Sequence, residues 1–117
     1  MDTKSPECFG TDPRARGLRV ELSAQHSIVL PYEHFVWSEL RADREQDTLR
    51  MVFVTHEIVV EGTMLRRIES VVQSRDLAWL AARPDRYRSQ ANERGYITRI
   101  KVRQLQEADE EAEPVSS

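Results

Sequence analysis

Between residues 48 and 80 the apolar pattern changes its period, and that change limits the possible folds more than any other feature of the chain. Leu49, Met51 and Phe53 alternate with Arg50, Val52 and Val54, the two-residue repeat of a strand with one buried face. Thr55-His56-Glu57 interrupts, and Ile58-Val59-Val60 continues as a second strand. From Met64 the spacing lengthens: Leu65, Ile68 and Val72 recur at three- and four-residue steps, leaving Arg66, Arg67, Glu69 and Gln73 outside, the stripe of an amphipathic helix. Gly62 marks the reversal, and Thr63 is the candidate N-cap. The pattern weakens at Ser74-Arg75-Asp76 and resumes through Leu77, Trp79 and Leu80 until Arg83-Pro84. One helix with a kink is expected over this stretch, with Trp79 buried on the Ile68 and Val72 face; a break at Asp76 is the alternative.

Upstream, Leu18, Val20 and Leu22 predict a half-buried strand, Ser23 to Ser27 a hairpin connection, and Ile28-Val29-Leu30 a second strand ending at Pro31. A third strand is expected over Phe35 to Leu40, with Phe35 and Trp37 on one face and Val36 on the other. Arg41 to Asp47 reads as an exposed loop. A last strand follows from Tyr96 to about Arg103, in which Tyr96, Thr98, Ile100 and Val102 alternate with Ile97, Arg99, Lys101 and Arg103. The expected class is therefore α+β: a bent, mostly antiparallel sheet of five to six strands, or a small partly open barrel, packed on one amphipathic helix in the C-terminal half, with a closing strand after the helix.

At 117 residues the chain suits one domain. Residues 1–16, with Pro6, Gly10 and Pro13, read as a flexible leader, residues 17–105 as a single α+β domain, and residues 106–117 as a disordered acidic tail. No apolar run reaches the roughly 18 residues of a membrane span, and no signal-peptide core begins the chain, so a cytoplasmic protein without membrane contact is expected. Cys8, the only cysteine, excludes an intramolecular disulfide and a thiolate metal cage.

Catalytic patterns are missing. His56-Glu57 lacks the second histidine of a zincin helix, since Val60 stands in its place. His26, His34 and His56 are more simply polar residues at strand ends than metal ligands. There is no Gly-x-Ser-x-Gly elbow, no glycine-rich phosphate loop, and nothing near Cys8 to activate a thiol. Neither an enzyme nor a cofactor is expected. Gly62-Thr63 is better explained as a chain reversal than as an anion site.

Charge is distributed unevenly. Residues 64–104 hold ten basic and four acidic side chains, while residues 105–117 hold no basic and five acidic ones. Arginine outnumbers lysine 15 to 2, a bias that genome composition alone explains. Arg99, Lys101 and Arg103 share one face of the last strand, and Arg86, Arg88 and Arg94 precede it with Tyr87 and Tyr96 nearby. Two functions are compatible with these features. The first is a small non-enzymatic interaction module, taking a protein partner or a second copy of itself through an exposed sheet edge. The alternative is nucleic-acid or polyanion binding through the six basic residues of the Arg86 to Arg103 region, opposed by the acidic tail as an autoinhibitor.

Overall fold

Alternating apolar residues build two sheets that share one core. The computed structural model describes residues 7–84 and 95–105. Its strands are β1 (Phe9–Thr11), β2 (Gly17–Ser23), β3 (His26–Pro31), β4 (Phe35–Ala42), β5 (Asp47–Phe53), β6 (His56–Thr63), β7 (Leu77–Ala81) and β8 (Tyr96–Gln104), with one helix, α1 (Arg66–Gln73), between β6 and β7. One sheet has the order β1-β7-β2-β3 and the other β4-β5-β6-β8. Every described pairing is antiparallel except β2 with β7. The protein is thus mostly β with a single described helix, and the five- or six-stranded single sheet expected from the sequence is replaced by two sheets of four.

The core lies between the sheets. Leu18, Val20, Leu77 and Leu80 enter it from the first sheet, Leu49, Met51, Phe53, Ile58 and Val60 from the second, and Leu65, Ile68 and Val72 from the helical segment. All twelve are at most 1% exposed. Where the chain crosses from β3 to β4, a 3-10 turn at Tyr32–His34 places the Tyr32 ring 6.2 Å from those of Phe35 and Phe53, which lie 5.3 Å from each other.

Three expectations are corrected by backbone geometry. The long helix stops at Gln73: Arg75 adopts a left-handed conformation (φ 63°), its amide donates to Val72 O, and the Asp76 amide donates to Val71 O. This Schellman closure turns the chain into β7, so the break at Asp76 is the form adopted and Trp79 sits on a strand, half-buried over Gly10. Thr63 does not cap α1; it ends β6, and an Asp47 carboxylate oxygen accepts from the Leu65 amide at 3.1 Å. Part of the expected leader is structural, because Phe9–Thr11 pairs with β7 and Cys8 is 2% exposed. The acidic tail expected at residues 106–117 lies outside the described residues.

Candidate interaction surface

The outer face of the second sheet combines charge with exposed apolar side chains. Register places Trp37, Val52, Glu57 and Arg103 in one row across the four strands. Glu39, Arg50, Val59 and Lys101 form the next row, and Arg41, Thr48, Glu61 and Arg99 the third.

Glu57 organises the first row. Though it points away from the core it is only 7% exposed, because two arginines cover it. Arg50 Nε donates to one carboxylate oxygen, while Arg103 donates to the other from Nε at 3.1 Å and Nη2 at 2.8 Å. Hydrogen bonds from Arg50 and then Arg103 hold the Glu57 carboxyl below the ordinary glutamate range, against the opposing effect of desolvation. The Arg50 guanidinium also lies 5.1 Å from the centre of the Trp37 ring, a cation–π stack.

Trp37 itself is 42% exposed, with Val36 and Val54 more exposed still. Its position corrects the sequence reading. A bulge shifts the register between Phe35 and Trp37, so Phe35 pairs with buried Phe53 while Trp37 pairs with outward-facing Val52. The two aromatic residues therefore face opposite sides of the sheet. Strict alternation could not reveal this, because the bulge at Val36 adds one residue to the count. The Val54 amide donates to His34 O, bringing Val54 beside the start of β4 and joining it to the Val36–Trp37 patch.

The expected basic strip is half neutralised. Arg99, Lys101 and Arg103 do share the outer face, but Glu61 lies 3.9 Å from both Arg99 and Lys101, and Arg103 is held by Glu57. Tyr96 is not an exposed stacking platform: it is 1% exposed and its hydroxyl donates to Pro84 O at 2.6 Å. Arg86, Arg88 and Arg94 lie outside the described residues, as does Tyr87.

Cys8 Sγ accepts from the Ile97 amide at 3.2 Å, and burial pushes its thiol pKa up. Among the described residues no three histidine, cysteine or carboxylate side chains converge as a metal site, and no helix is long and apolar enough to cross a membrane. Comparison with protein-family models, curated proteins and solved structures finds no match.

Proposed function

We propose that this protein is a non-enzymatic interaction module whose contact surface is the outer face of the second sheet at its Trp37 end. The supporting observation is the exposed tryptophan, stacked on Arg50 and flanked by Val36 and Val54, on a strand at the edge of the sheet. Tryptophan and arginine dominate binding energy at protein interfaces, and an open apolar cluster rimmed by charge is the composition such contacts use. A photocrosslinking residue in place of Val54 tests this reading. It should give a discrete protein adduct in cells, and Trp37→Ala should abolish the adduct while leaving the fold intact by circular dichroism. The same crosslinker in place of Glu21, on the other sheet, is the control. An adduct indifferent to Trp37, or none, overturns the assignment.

A second reading, polyanion binding, draws support from the excess of cations on the same face. Arg41, Arg50, Arg99, Lys101 and Arg103 stand against Glu39, Glu57 and Glu61. Arg99 and Lys101 are the available pair, since their side chains are 62% and 57% exposed and share a single carboxylate. Arg86, Arg88, Arg94 and the acidic tail belong to this reading by sequence and lie outside the described residues. Retention on heparin that falls with salt and is lost in the Arg99→Ala, Lys101→Ala double variant would support it. Retention unaffected by that variant would exclude this strip.

A further inference from the structure

Among the described residues four strands bound the two sheets, and they differ in what they offer another chain. β1 is three residues long, and β3 ends on Pro31, which has no amide hydrogen to donate. β8 aligns Arg99, Lys101 and Arg103, so two copies laid edge to edge there would set cation against cation. β4 lacks these defences over residues 37–42. Apart from its ladder with β5, no backbone group from Val36 to Ala42 hydrogen-bonds to the backbone of any described residue. Its inward side chains, Ser38 and Leu40, are only half-buried, whereas Leu49 and Met51 opposite them on β5 are fully buried. α1 approaches β4 and Leu40 packs against the core, yet neither Ser38 nor Leu40 is sealed from solvent.

We propose that β4 pairs antiparallel with β4 of a second copy of this chain, about a two-fold axis at Leu40, making one continuous sheet from two. The proposal rests on the interaction reading above and gives it a partner. Charge sets the register. With Leu40 opposite Leu40 of the second copy, Glu39 meets Arg41 twice over, Ser38 meets Ala42, and the two half-buried leucines cover one another. Centring on Glu39 or on Arg41 would set like charges against each other, and centring on Ser38 would bring the Val36 bulge into the ladder. Within one copy Glu39 is held only loosely, 3.6 Å from Arg41 and 3.9 Å from Arg50, and the Arg41 side chain is 77% exposed, so both charges are free to re-pair. Trp37 then lies diagonal to Arg41 of the second copy, in reach of a second cation–π contact.

Sedimentation at loadings up to about 100 μM, where an interface at the small end of the stable range still forms, tests the pairing. The wild-type chain should sediment as a concentration-dependent dimer. Glu39→Arg and Arg41→Glu should each weaken dimerisation about tenfold or more, and an equimolar mixture of the two variants should restore it as a heterodimer, because only the mixture pairs opposite charges. Circular dichroism establishes that both variants fold. Backbone hydrogen exchange in β4 should also slow as protein concentration rises. A monomeric wild type, a dimer indifferent to both substitutions, or an oligomer that keeps growing with concentration would each overturn the proposal. A Val54 crosslink to a different protein that still depends on Trp37 would then leave the interaction reading standing, whereas loss of that crosslink too would remove both.

Discussion

Glu57 is a carboxylate that the fold withdraws from water and then compensates with two guanidinium groups. Its pKa in the folded chain lies below the unfolded value of about 4.3, so its contribution to stability is complete above that value and is lost as pH falls through the folded one. Glu57→Gln should therefore lower stability at neutral pH and flatten the acid limb below about pH 4, as read by urea denaturation across a pH series. Tyr32 behaves in the opposite sense. Its hydroxyl donates to Leu77 O at 2.5 Å, and burial, reinforced by Asp76 and opposed by Arg75, pushes its pKa up to about 12. Stability from that phenol is full below the unfolded value near 10 and is lost as pH rises toward the folded one. Tyr32→Phe should remove that alkaline limb and cost roughly 1 kcal/mol at neutral pH.

At the level of the element, α1 is decided by its ends. Arg75 occupies the left-handed position where glycine is favoured, so Arg75→Gly should stabilise the protein by roughly 0.5–1 kcal/mol in chemical denaturation. Ile68→Ala, on the buried stripe, should cost about 2–5 kcal/mol in the same measurement. These two sites also show what was legible in the sequence. Ile68 and Val72 announced themselves by spacing, and both are fully buried. The end of the helix did not, because Ser74-Arg75-Asp76 carries no glycine at the position that reverses the chain, and Leu77-Ala78-Trp79-Leu80 continues an apolar run that suits either structure. β1 was hidden for a related reason. Three residues between prolines have no period to detect, and their role depends on β7, far along the chain, which offers them a ladder. The same limit applies to the surface. The shared face of Arg99, Lys101 and Arg103 follows from alternation alone, but their pairing with Glu57 and Glu61 depends on register between strands, which no local pattern contains.

For the whole molecule, Gly62 shows how closely the parts are fitted. A register shift between Glu61 and Gly62 brings the chain against the Tyr96 carbonyl, and a Cβ at this position would overlap that oxygen. Gly62→Ala should lower the melting temperature by several degrees, corresponding to a loss of about 1–3 kcal/mol, through the β6–β8 junction without touching the Trp37 surface. The parallel pairing of β2 with β7 has a different consequence, in time. Arg19 must find Trp79, and Glu21 must find Ala81, across about half of the chain. The hairpins β2–β3 and β4–β5–β6 can form from neighbours as the chain emerges, but β2 keeps one unpaired edge until β7 arrives. A chain of this topology folds in milliseconds to seconds rather than microseconds, and a ribosome stalled before residue 77 presents that bare edge to every other chain in its surroundings.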